Sequence, residues 1–76
     1  MPFKIGTKQT KKMVEHKRAS LVYVAKDADP RITNDILRLC GTAGIEVIWV
    51  ETMTDLGKTC GIDVGAAAAA VVPDEE

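Results

Sequence analysis

Two short apolar runs dominate the chain, Leu21-Val22-Tyr23-Val24-Ala25 and Ile45-Glu46-Val47-Ile48-Trp49-Val50. Branched and aromatic side chains with almost no polar alternation mark strands covered on both faces. Between the runs, Asp29-Pro30 starts a helix: the carboxylate takes up free amides of a first turn, and proline is preset for the first helical position. Ile32, Ile36, Leu39, Cys40 and Ala43 then recur at helical spacing, and Gly44 ends the helix in a left-handed conformation. This helix packs on a sheet.

The flanking segments extend the alternation. Phe3 to Ile5 is a short extended piece followed by Gly6, and Thr7 caps a helix running to about His16 or Lys17, with Met13 and Val14 inward and the lysines outward. Thr52 and Asp55 have the spacing of a capping box, with Asp in place of Glu or Gln, so a short helix runs to about Gly61. The end of the chain pulls two ways. Ala66 to Ala70 favours helix by intrinsic propensity, whereas Val71 and Val72 favour strand and Pro73 stops either. The stretch between Gly65 and Pro73 is short for a helix, and small side chains let a closing strand sit tightly beneath packed helices, so a strand is preferred. The order points to an α/β fold, a three-layer α/β/α sandwich around a mixed sheet of about four strands, with residues 1–76 as a single domain.

A chain of 76 residues buries only roughly 60% of the surface its unfolded form exposes, so the core is thin. Its net charge of −1 predicts no partner by itself, but the charge is unevenly placed. Lys4, Lys8, Lys11, Lys12, Lys17 and Arg18 stand against Glu15 alone in the first 18 residues, a net +5, which leaves −6 on the remainder. A basic segment on an acidic domain is an electrostatic footprint for nucleic acid or an acidic membrane surface, or else simply a solvated end. No apolar run approaches the ~20 residues of a spanning helix and no secretory signal opens the chain, so a soluble cytoplasmic protein without membrane attachment is expected. Cys40 and Cys60 fall at apolar helical positions and are read as buried thiols.

Few residues suggest chemistry. Gly57-Lys58-Thr59 looks like the end of a phosphate-binding loop, but that motif needs glycine where this chain has Thr52. Close helix packing at Gly57, with Lys58 toward solvent, is the better reading. Asp27 and Asp29 share a turn without a histidine or third acid to complete a metal or acid/base site, which leaves turn and capping roles. His16 sits among Glu15, Lys17 and Arg18 as a surface group. With no nucleophile, base and orienting group to assemble, an enzyme is disfavoured, and no cofactor or metal is expected.

Two segments are more informative. In Ile5-Gly6-Thr7-Lys8-Gln9-Thr10-Lys11-Lys12, Gly6 permits close backbone approach and the helix N-terminus attracts phosphate. Lys8 and Lys12 share a face, and Gln9 offers a donor and an acceptor to a base edge. In Gly61-Ile62-Asp63-Val64-Gly65, two branched apolar residues stand between glycines. Either they cover an unstacked base, or both tuck into the core.

Together, Gly6-Thr7-Lys8-Gln9-Thr10, the run Val22-Tyr23-Val24-Ala25-Lys26-Asp27-Ala28-Asp29-Pro30, and the run from Leu56 through Gly61-Ile62-Asp63-Val64-Gly65 to Ala68 resemble the kink-turn RNA-binding ribosomal proteins. This is the archaeal L-seven-Ae and eukaryotic L-thirty superfamily, and the resemblance is strongest to its small bacterial YbxF-like branch. It implies an α/β/α sandwich that binds a kink-turn, a sharply bent internal loop flanked by tandem sheared G·A pairs, in ribosomal RNA, a riboswitch or another structured RNA, with or without a place on the ribosome. The family's first-helix motif enters the widened major groove and maps onto Gly6, Thr7, Lys8, Gln9 and Lys12. Its apolar loop covers an extruded nucleotide and maps onto Ile62, Asp63 and Val64. Lys8-Gln9 replaces the archaeal Asn-Glu and resembles the eukaryotic branch. Lys11 and Lys26 join Lys8 and Lys12 in neutralising phosphates. The rival expectation is a protein-interaction or scaffold module that uses the acidic surface and the Asp74-Glu75-Glu76 tail without touching RNA.

Overall fold

In the computed structural model, which describes residues 3–73, strands and helices alternate along the chain. They are β1 (Phe3–Ile5), α1 (Thr7–Glu15), β2 (Leu21–Ala25), α2 (Pro30–Ala43), β3 (Glu46–Val50), α3 (Met53–Cys60) and β4 (Ala68–Val71). The strands form one mixed sheet in the order β1-β4-β2-β3. β2 pairs β3 in parallel, with Val22 opposite Val47 and Ala25 opposite Val50, while β4 runs antiparallel to β1 and β2. The sandwich expected from the sequence is therefore present, and the Asp74-Glu75-Glu76 tail lies outside the described residues. No described helix is long and apolar enough to cross a membrane.

Period-two alternation sends the side chains of the central strands β2 and β4 to two separate cores. Val22, Val24, Ala68 and Ala70 pack with Met13 and Val14 of α1 and Ile36 and Cys40 of α2. Ala25 and Ala69 on the opposite face pack with Leu56 and Cys60 of α3, and Phe3, Ile5, Tyr23, Val50 and Ile62 close around them. The Phe3 and Tyr23 rings lie 6.2 Å apart at 47°. β4 sits at the centre with Ala68, Ala69 and Ala70 fully buried. Its minimal side chains let helices approach from both sides, which is how a thin core still closes. Each thiol is free and buried on its own side of the sheet.

The helix ends follow local chemistry with one exception. The Asp29 carboxylate accepts from the Arg31 amide at 2.9 Å, Pro30 opens α2, and Gly44 ends it at φ 70°. Thr52 Oγ1 accepts from the Asp55 amide at 3.0 Å, and Gly61 ends α3 at φ 81°. At α1, however, Thr7 is the first helical residue and Gly6 stands at the cap position, so the expected threonine cap is not formed. The cause is long-range: the Gly6 amide donates to the Ala68 carbonyl at 2.9 Å, which holds Gly6 at the sheet end, and φ 105° suits glycine alone. The edge strand also differs from a doubly covered one, because Ile48 and Trp49 remain 37% and 45% exposed on β3.

Candidate nucleic-acid interface

Both informative segments arrive at one end of the sheet. β1 and β2 finish there, and β4 begins there, because Ile5 is opposite Ala69 and Val24 is opposite Ala68 across antiparallel pairs. Gly6 then starts α1 directly from the sheet end, while the 61–65 loop feeds Ala66 toward β4. Ile5 and Ile62 pack around the same core, so the helix start and the loop share a foundation.

The solvent-facing side of α1 is basic. Thr10, Met13 and Val14 are buried, whereas Lys8, Gln9 and Lys12 are exposed. Thr7, Lys8, Lys11, Lys12 and Glu15 line an open groove along the helix. No acid occupies the first turn and no side chain caps it. Lysines beside the positive end of a helix dipole cost stability by tenths of a kcal/mol, a cost that a bound phosphate reverses.

The cations are not equivalent. Lys11 is tied to Asp35 of α2 at 3.5 Å, and Lys26 to Glu51 at 2.8 Å. The Lys26 ammonium beside Glu51 holds that carboxyl below its ordinary range. Among the described residues, Lys8 and Lys12 have no ion-pair partner. Lys26 lies just beyond β2 at the same sheet end, its amide donating to the Val50 carbonyl at 2.8 Å.

The loop resolves its two sequence readings by splitting them. Ile62 is partly buried against the α3-side core, with its amide donating to the Gly57 carbonyl at 3.0 Å. Val64 is 69% exposed and Asp63 is exposed as well, so the loop presents an apolar tip on an anchored base. Gly57 is buried beneath it, and any Cβ there would collide with the Val64 carbonyl. Close approach at Gly57 is thus toward the loop backbone, and Lys58 is exposed as expected.

Sequence reasoning missed how the loop is held in place. Asp27 Oδ1 accepts from the Met53 amide at 2.8 Å, joining the β2–α2 turn to the start of α3. The Met53 carbonyl in turn accepts from the Ala66 amide at 3.0 Å. A bond spanning 26 residues leaves no local signal beyond a carboxylate in a turn.

A four-stranded mixed sheet between helices, with a basic helix start and an exposed apolar loop tip at one end, defines a small α/β sandwich. The chain belongs to the ribosomal protein L7Ae/L30e/S12e/Gadd45 family, whose model matches residues 3–76. It is 45% identical over 71 residues to an RNA-binding protein of Caldanaerobacter subterraneus subsp. tengcongensis, covering 93% of this chain and 87% of that protein. The large ribosomal subunit protein eL8 of Halobacterium salinarum is 46% identical over 70 residues, which make up 91% of this chain but 58% of the relative. Among solved structures, the Giardia lamblia 15.5kD RNA binding protein superposes with a TM-score of 0.88 at 27% identity, covering 97% of this chain and 62% of the other.

Proposed function

We propose that this protein binds structured RNA without catalysis, and that it recognises a kink-turn and holds it in its bent form. One observation carries this reading: the cationic start of α1 and the Val64 loop tip lie at the same sheet end, joined through Ile5 and Ile62. Family membership and the RNA-binding names of its relatives support the RNA partner. In this reading Gly6 and Thr7 bring backbone amides to phosphate, and Lys8 and Lys12 neutralise the crowded strands. Gln9 meets a base edge at the sheared G·A pairs, and Ile62, Asp63 and Val64 cover the extruded nucleotide. Lys11 and Lys26 add charge from positions already compensated by Asp35 and Glu51. The same RNA shape occurs in ribosomal and riboswitch-like settings, so ribosome association and a cytoplasmic location belong to this proposal.

Binding bends the RNA only to the extent that the kinked form gains more contacts than the extended one. Moving an RNA from 1:99 to 99:1 in favour of the kink takes about a 10⁴-fold difference in affinity between the two forms. Two spatially separate contacts, helix start and loop tip, supply that difference because only the bent RNA reaches both. A gel-shift titration with a kink-turn RNA and a plain duplex of equal length, repeated over a salt series, tests the proposal. Preferential, salt-sensitive binding of the kink-turn is expected. Equal affinity for both RNAs would reduce the protein to a nonspecific basic binder, and absence of binding would remove RNA as its partner.

A further inference from the structure

We infer that Asp27, which faces no RNA in the proposed contact set, is a positioning residue that fixes the 61–65 loop for its nucleotide. This rests on the kink-turn reading above. The loop has no strand or helix of its own, so its shape depends on what it is attached to. The attachment is a relay of backbone groups through the first residue of α3. The Asp27 carboxylate accepts from the Met53 amide at 2.8 Å, and the Met53 carbonyl accepts from Ala66 at 3.0 Å, immediately after the loop. Asp27 therefore grips one side of a peptide segment whose other side grips the loop.

Steric fit reinforces the relay at the loop's tip and C-terminal end. A Cβ on Gly65 would lie 3.2 Å from the Met53 carbonyl carbon and from its Cβ, tighter than ordinary packing. Gly57 touches the Val64 carbonyl closely enough that no side chain fits between them. Thus the loop lies directly on α3, with Met53 beneath its C-terminal end and Gly57 beneath its tip. Any shift of Met53 is transmitted to Gly65 and Ala66. Thr52 secures the following turn through the Asp55 amide, and Asp27 ties the first residue of α3 to the β2–α2 turn, beside the Lys26–Glu51 pair that joins the same turn to the residue before Thr52. That turn also carries Lys26, so one short segment sets both a cation and the loop.

The alternative role for an acid beside an RNA site is electrostatic, and it has the opposite sign. Removing a negative charge there strengthens RNA binding, whereas removing a positioning acceptor weakens it. Asp27→Asn keeps an oxygen acceptor for the Met53 amide and discards the charge; Asp27→Ala discards both. The full chain is titrated against a kink-turn RNA and against the same RNA carrying an abasic residue at the extruded nucleotide. If the loop is correctly placed only about a tenth of the time in Asp27→Ala, affinity for the intact RNA falls about tenfold. The abasic RNA should show little of that loss, and Asp27→Asn should bind at least as well as the wild type. Amide hydrogen exchange should speed up at Met53 and Ala66 in Asp27→Ala and not in Asp27→Asn.

Equal loss on both RNAs, or no loss in Asp27→Ala, overturns the inference. Should Asp27→Ala not fold, Gly65→Ala in the Asp27 protein replaces it, since crowding Met53 disturbs the same relay from its other side. The same selective loss on the intact RNA is expected, and its absence overturns the inference equally. The wild-type protein keeps the two questions apart: failure to prefer kink-turn over duplex rejects the function, whereas preference without an Asp27 effect rejects only the positioning role.

Discussion

Lys11 and Lys12 are neighbours in sequence with different circumstances. Lys11 already meets Asp35 at 3.5 Å, while Lys12 is exposed and without an ion-pair partner among the described residues. A cation with a partner exchanges one interaction for another when phosphate arrives, whereas an unpaired one gains a contact outright. Lys12→Ala should therefore reduce the slope of log affinity against log salt by about one, the signature of a lost phosphate contact. Lys11→Ala should change it less, as measured by titration at several salt concentrations. Gln9→Ala should act differently, lowering the preference for a kink-turn over a variant lacking the G·A pairs while leaving the salt slope in place. A slope change in Gln9→Ala, or none in Lys12→Ala, would contradict this division of labour. The exposure of Gln9 and the complete burial of Thr10 show how sharply one residue step along α1 separates the solvent face from the core.

Elements bounded by local chemistry are legible in the amino-acid sequence alone. Asp29-Pro30, Gly44, Thr52 and Gly61 each satisfy or release backbone groups within a few residues, and each bounds its helix where the residue pattern predicts. Elements decided by distant contacts are not legible in this way. Gly6 displaces Thr7 from the cap because Ala68, far along the chain, takes the Gly6 amide; Asp27 likewise accepts from the Met53 amide, 26 residues away, at the start of α3. The loop is readable as apolar but not as divided, because only the α3-side core distinguishes partly buried Ile62 from exposed Val64. β4 lies between these cases: five alanines favour helix by propensity, the short span before Pro73 favours the strand preferred from the sequence, and burial between two layers makes Ala68 to Ala70 that strand. That burial has a measurable consequence. Ala69→Leu would overfill the α3-side core at a cost of about 1–3 kcal/mol. This is a large share of the roughly 4–11 kcal/mol available to a chain of this length, and urea unfolding should register it as a lower midpoint. Thr52→Ala, which loses only a cap, should cost about 1 kcal/mol.

The molecule has different vulnerabilities at the two ends of the pH scale. On the acid side, Arg31 holds the Asp29 carboxyl below its ordinary value of 3.8, and Lys26 does the same for Glu51 below 4.5. Both pairs are exposed, so their effect is small and screened. Their contribution is present above those ordinary values and fades as pH falls through the lowered native ones. On the alkaline side, burial pushes both Cys40 and Cys60 thiols above 9.0. An unfolded chain ionises these thiols first, so their contribution to stability is complete below about 9.0 and declines as pH rises through the raised native values. Cys40 belongs to the α1/α2 core and Cys60 to the α3 core, which exposes both layers of the sandwich to the same alkaline stress. Denaturant unfolding measured from neutral pH to above 10 should therefore show stability falling on the alkaline limb. Cys40→Ala and Cys60→Ala should each lower stability at neutral pH through lost packing yet flatten that limb, and the double variant should flatten it most. An alkaline limb unchanged by both substitutions would assign the loss to other groups, and would leave the thiols as packing residues alone.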